Sequence, residues 1–98
     1  MEIVKTKEAE KMVIALSGRL DTTTAPELEL ALKDDIDDVK ELTFDFKELS
    51  YISSAGLRVI LFAQKKMNKQ GSMEVINVCD DIKEIFDITG FSDILTVK

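Results

Sequence analysis

"LTFDFKELSYISSAGLRVIL", residues 42–61, contains the change of period that decides the fold. Its first part alternates. Leu42, Phe44 and Phe46 share one side, with Thr43 and Asp45 on the other, so "ELTFDF" reads as a buried strand. Its last part repeats at helical spacing and opens a helix over residues 54–70. Between the two stand Ser53, Ser54, Ala55 and Gly56, a pair of hydroxyls at the start of an apolar helix. A strand, a short polar turn and a helix make up half of a βαβ unit.

Working outward, "KELSYIS" (47–53) reads as the connection. The helix carries Leu57, Val59, Ile60, Leu61, Phe62, Ala63 and Met67 as a wide apolar band. Lys65, Lys66 and Lys69 suit its C-terminal half, and Gly71 is a natural stop. Upstream, "EIVKTKE" is a weak strand, residues 7–10 a hairpin turn and "KMVIALSG" a strand burying Met12, Ile14 and Leu16, closed by Gly18. Thr24 with Glu27 offers a capping box, with Pro26 in the first turn, for a helix ending near Lys33 to Asp35. Its core stripe is Leu28, Ala31 and Leu32, with Leu30 outside it. Downstream, "MEVINV" is a buried strand, and Asp81 with Glu84 offers a second capping box for a short helix carrying Ile82, Ile85 and Phe86. Gly90 ends that helix, and "DILTV" is a last strand or an extended tail. The order β-β-α-β-α-β-α-β defines an α/β chain, expected to be one domain over residues 1–98 with parallel neighbours and right-handed crossovers.

Composition removes whole classes of function. There is no histidine, so Ser-His and Cys-His nucleophile pairs, phosphohistidine carriers and His-ligated metals are excluded. One cysteine, Cys79, forms neither an internal disulfide nor a Cys-rich zinc site and is expected in the core. The net charge of −6 disfavours nucleic acid and anionic lipid surfaces. The N-terminus has no apolar stretch of the secretory kind, and no run of about 20 apolar residues is present, so a cytoplasmic setting without membrane insertion is expected. "DDIDD" (34–38) reads as a solvated turn and Asp80-Asp81 as a helix cap; neither has EF-hand spacing, and no metal or cofactor is expected.

In parallel α/β sheets function gathers at the carboxyl ends of the strands. Two loops there lead into helices, "GRLDTTTA" and "LSYISSAG". Helix N-termini present free N–H groups, which suit an anion, including an attached phosphate. Ser54 is either a cap or first-turn residue or an outward-facing hydroxyl open to modification; of two adjacent serines, one can cap while the other faces out. Arg58, one turn later, is an exposed helical arginine or the neighbour of a phosphate or partner carboxylate. Asp21 holds its loop or contacts a partner, and Asp45 is a half-buried aspartate bonded to loop amides.

Three blocks, "SGRLDTTTAPEL", "LTFDFKELSYISSAGLRVIL" and "ITGFSDIL", resemble in sequence and order the STAS domain of bacterial anti-sigma factor antagonists, from about residue 3 to residue 97. The absence of an added domain resembles free-standing antagonists more than transporter tails. The resemblance implies a four- to five-stranded mixed sheet with the first strand at an edge and three to four helices mostly on one side. It implies a partner that is both anti-sigma factor and ATP-dependent serine kinase, sequestered by the unphosphorylated antagonist so that a sigma factor is freed. Phosphorylation breaks the complex, and a metal-dependent serine phosphatase resets it. Gly56 and Leu57 match the family's Gly-Leu, which puts Ser54 at the acceptor position ahead of Ser53, and Ala55 at the Ser/Thr position after it. Ser53 stands where the family often has aspartate. Asp21 matches the aspartate of the Gly-x-Leu-Asp turn, and the implied partner surface is Asp21, Thr22, Thr23 and Ser53 through Arg58.

Two alternatives accompany it. A STAS fold without the switch would be a constitutive scaffold subunit of a transport or other regulatory complex. A receiver domain phosphorylated on Asp45 needs an acidic pair after the first strand, which is absent. No constellation supplies a nucleophile, a base and an orienting group together, so an enzyme is not expected.

Overall fold

The computed structural model describes residues 1–98. Strands β1 (Glu2–Glu8), β2 (Lys11–Leu20), β3 (Glu41–Ile52) and β4 (Ser72–Ile76) form one mixed sheet in the order β1-β2-β3-β4. The hairpin β1–β2 is antiparallel, and β2, β3 and β4 run parallel. Helices α1 (Ala25–Asp35) and α2 (Ser54–Gln70) are the two crossovers, and α3 (Asp80–Thr89) follows β4. Both crossovers step the same way across the sheet. The right-handed rule therefore puts α1 and α2 on one face.

Burial follows that layering. Met12, Ile14 and Leu16 of β2, Leu42, Phe44 and Phe46 of β3, and Met73 and Val75 of β4 are buried with Leu28 and Leu32, Ile60, Ala63 and Met67, and Ile82 and Phe86 of the helices. On the other face Val4 and Val13 are exposed, and Thr43 and Asp45 are half-buried. Edge strand β1 is held from the helix side. Lys5 pairs with Asp35 at 2.6 Å and Lys7 with Asp38 at 2.7 Å, and Lys66 pairs with Asp37 at 2.7 Å. "DDIDD" closes α1 and forms a turn in which Asp34, Asp37 and Asp38 stay exposed, as expected of a solvated turn, while Ile36 is buried beneath them.

The main departure from the sequence expectation is the length of two strands. Gly18 does not close β2, and 47–53 is not a loop: β2 runs to Leu20 and β3 to Ile52. Their pairing slips between Ala15 and Ser17 and between Gly18 and Arg19, each time with an extra residue on β3. The bulges change the inward spacing from every second residue to every third, so Phe46 is followed inward by Leu49 and then Ile52. A strict period of two misses this.

Other expectations shift for local reasons. Leu61 is half-buried and Phe62 exposed, because both fall off the 3.6-residue stripe; Gln64 is buried on it instead. Ala31 is half-buried. Neither capping box forms: α1 and α3 have no side-chain cap bond, and Cys79 is an exposed N-cap residue outside the core. Asp80 and Asp81 contribute only negative charge to the first turn of α3. Gly71 is extended, and a Cβ there would lie 2.0 Å from the Lys40 carbonyl oxygen, so close backbone approach makes glycine necessary. The last segment is a tail with one bridge: the Val75 amide donates to Thr96 at 2.9 Å and the Lys98 amide to Val75 at 2.8 Å.

Candidate functional site

β2 and β3 end side by side, with Leu20 paired to Ile52. Past that pair the Ser53 amide donates to the Leu20 carbonyl at 2.9 Å. The two loops singled out in the sequence therefore meet at the carboxyl ends of two neighbouring parallel strands. Gly56 makes the meeting tight. A Cβ on it would lie 2.7 Å from Leu20 Cγ and 2.9 Å from Ile52 Cγ1, so the first turn of α2 sits directly on the strand ends.

The two serines have different surroundings. Ser53 is extended (φ −99°, ψ 175°), and its Oγ accepts the Gly56 amide at 3.4 Å while its carbonyl accepts the Leu57 amide at 2.9 Å. It is the N-cap of α2. Ser54 is the first helical residue and is exposed. The amides of Ser54 and Ala55 have no acceptor in the chain, as first-turn amides generally do not. The Ser54 hydroxyl thus stands in solvent beside free N–H donors, in the favourable field of a helix N-terminus.

The companion loop is held by its aspartate. Asp21 Oδ1 accepts from the Thr23 hydroxyl at 2.8 Å, the Thr23 amide at 3.0 Å and the Thr24 amide at 3.2 Å. The Thr23 hydroxyl foremost, and then the amides and the Thr24 hydroxyl, hold this carboxyl below its usual value of 3.8. Thr24 Oγ1 accepts the Asp21 amide at 2.8 Å and donates to the Arg19 carbonyl at 2.8 Å. Thr24 therefore ties the loop to the end of β2 and does not cap α1. The outward Oδ2 faces Arg19 at 3.8 Å, and that guanidinium lies 4.2 Å from the centroid of the Tyr51 ring.

The structure sorts the remaining expected partner residues by depth. Thr22, Thr23 and Arg58 are exposed, and Ala55 is half-buried. Gly56 and Leu57 are buried, so they shape the loop from beneath. Arg58 makes no ion pair. The Leu20 carbonyl and the Arg19–Tyr51 stack join the site only because both strands run on past Gly18 and Lys47, an extension whose one trace in the sequence is the three-residue spacing of Phe46, Leu49 and Ile52. Asp45 lies inside β3, seven residues before its end, with Oδ1 accepting from the Lys47 amide and from Asn77 Nδ2, each at 3.0 Å. That is a structural position, away from the strand ends where a receiver domain carries its aspartate. No group of three or more His, Cys, Asp or Glu side chains is placed to hold a metal ion.

Residues 1–98 match the STAS domain. The chain belongs to the STAS domain family. Among curated relatives, the anti-sigma-B factor antagonist of Listeria monocytogenes is 33% identical over 99 residues, covering 97% of this chain and 85% of the relative. Among solved structures, an anti-sigma factor antagonist from Mycobacterium paratuberculosis superposes with a TM-score of 0.88 at 22% identity, over 98% of this chain and 83% of that one. The Bacillus cell fate determinant SpoIIAA in its phosphorylated form superposes with a TM-score of 0.79 at 19% identity, over 99% and 91%. These two likenesses confirm the STAS fold, with four strands in a mixed sheet and three helices. The name of the Listeria relative is that of a regulatory protein and not of an enzyme. No helix is long and apolar enough to cross a membrane.

Proposed function

We propose that this STAS domain is an anti-sigma factor antagonist whose partner binding is switched off by phosphorylation of Ser54. The observation that carries the proposal is the division of labour in the serine pair. Ser53 spends its hydroxyl on the cap, and Ser54, one residue on, is exposed at the helix start. The names of the curated relatives and the phosphorylated SpoIIAA structure support the same reading.

The partner is an anti-sigma factor that is also an ATP-dependent serine kinase, and it is bound in the cytoplasm. In the unphosphorylated state the loops of Asp21 and Ser54 lie against it, and the sigma factor is free. Transfer of the γ-phosphoryl group of ATP to Ser54 Oγ, with release of ADP, adds about −1.5 to −2 charge to that contact. The free amides of the first turn can donate to the phosphate oxygens, so the fold tolerates the phosphate while the docked partner does not. A serine phosphatase restores the hydroxyl. Ser53 in place of aspartate does not unmake the loop, because Ser and Asp are equally good N-caps.

The test is to incubate the protein with its cognate kinase and ATP and to map the product by mass. One phosphate on Ser54, absent from Ser54→Ala, is expected. Stoichiometric phosphate that persists in Ser54→Ala sinks the assignment. Recovery of a transport ATPase in place of the kinase favours the scaffold alternative.

A further inference from the structure

We propose that the docking surface extends from the Ser54 loop into the groove between α1 and α2. There it receives an apolar side chain flanked by a carboxylate from the kinase-type anti-sigma factor. This rests on the function proposed above and extends the contact of the same partner from Ala55 and Arg58 to Phe62 and α1.

The groove is built from small and apolar residues. Ala25 and Pro26 of α1 face Ala55 and Val59 of α2, and Phe62 stands beside them. Ala25 and Val59 are buried and form its base, whereas the Phe62 ring is 39% exposed. An exposed phenyl alone is ordinary. Here it borders a concave apolar strip that begins one residue from Ser54. A partner side chain laid in the strip would cover both.

Charge selects the occupant. The groove contains one cation, Arg58, and one acid, Glu29. Glu29 already faces Lys33, its i+4 neighbour, at 3.6 Å. Arg58 has no carboxylate partner in the chain. A planar guanidinium beside an apolar strip fits a carboxylate next to an apolar side chain, in bidentate geometry.

The position of Arg58 also couples the groove to the switch. It lies four residues after Ser54, on the same face of α2. A phosphate on Ser54 competes with the partner's carboxylate for this guanidinium. Phosphorylation then removes an attraction as well as adding a repulsion.

The experiment measures the affinity of the purified cognate kinase for wild type, Phe62→Ser, Arg58→Gln and, as a control on the far sheet face, Val13→Ser. Circular dichroism checks that each variant is folded. We expect at least a tenfold weaker complex for Phe62→Ser and for Arg58→Gln, no change for Val13→Ser, and a smaller ratio of affinities before and after Ser54 phosphorylation in Arg58→Gln. If both groove variants bind as wild type does and Ser54 is still phosphorylated, the groove is wrong and the switch stands. If wild type neither binds the kinase nor is phosphorylated, the function proposed above falls first, and this inference with it. If Phe62→Ser instead abolishes a dimer seen by sedimentation and leaves the kinase affinity intact, the occupant is a second copy of the chain and the proposal is overturned.

Discussion

The Ser53 amide donates to the Leu20 carbonyl at 2.9 Å, and the first turn of α2 packs Gly56 against the side chain of the same leucine. One residue at the end of β2 therefore fixes both the height and the angle at which the Ser54 helix starts. A methyl group at Gly56 would need Leu20, Ile52 or the Leu20 carbonyl to move, since all three lie within 3.0 Å of its place. Gly56→Ala is expected to cost about 1–3 kcal/mol. Urea unfolding reads this as a lower midpoint at unchanged slope. An unchanged midpoint contradicts the tight seating.

The cap on α2 should behave as a cap. Ser53→Ala removes the acceptor of the Gly56 amide and is expected to cost about 0.5–1 kcal/mol, the lower part of the capping range, because the bond is long at 3.4 Å. Ser53→Asp keeps an acceptor and adds a negative charge at the helix N-terminus, so it should be neutral or stabilising by up to ~1 kcal/mol. Thermal melts of the two variants measure the difference. Equal melting temperatures would remove Ser53 from the cap.

The loop that determines where Ser54 sits was nearly all legible in the sequence, and its mount was not. Ser53, Ser54 and Gly56 announce a helix start by residue type alone, and the alternation of Leu42, Phe44 and Phe46 announces the strand before it. The two bulges are invisible to a period of two, so the stretch from Lys47 to Ser53 looks like a loop although most of it is strand. The capping boxes failed for a related reason. Thr24 has the right residue type, but its hydroxyl is claimed by the Asp21 amide and the Arg19 carbonyl, a contact that exists only once β2 runs past Gly18. Cys79 reads as core by type and lies exposed because the chain has already left β4 at Asn77, whose φ of +58° turns it away.

Gln64 is a polar residue in an apolar place. Its Nε2 donates to Asn68 at 2.8 Å, and its buried Oε1 has no donor. Replacing it by an apolar residue of similar size removes the unsatisfied oxygen. Gln64→Leu or Gln64→Met is expected to raise stability by about 1 kcal/mol. Chemical denaturation tests this, and clear destabilisation would show that the oxygen has a bonded partner in solution.

Stability should fall at both ends of the pH range, through different contacts. The Asp21 and Asp38 carboxyls are held below 3.8, Asp21 foremost by the Thr23 hydroxyl and Asp38 by Lys7. Their contributions are present above the ordinary carboxylate value and are lost as pH falls through the lowered folded values. Lys7 is held above 10.5 by Asp38, so its contribution is present below 10.5 and is lost as pH rises through the raised value. In melting curves against pH, Asp21→Asn should flatten only the acid limb, and Lys7→Met should flatten the alkaline limb as well as part of the acid one. An acid limb unchanged in both variants contradicts this assignment.

In the proposed switch, the charge at residue 54 decides whether the partner stays bound. The direct measurement is the affinity of the cognate kinase-type anti-sigma factor for two forms of the protein, one with serine and one with phosphoserine at position 54, with melting temperatures recorded for both. We expect a loss of at least a hundredfold in affinity, about 3 kcal/mol, with no fall in melting temperature, because the first-turn amides of α2 donate to the phosphate. Equal affinity of the two forms, or a loss of affinity explained by an unfolded phosphoprotein, would contradict it.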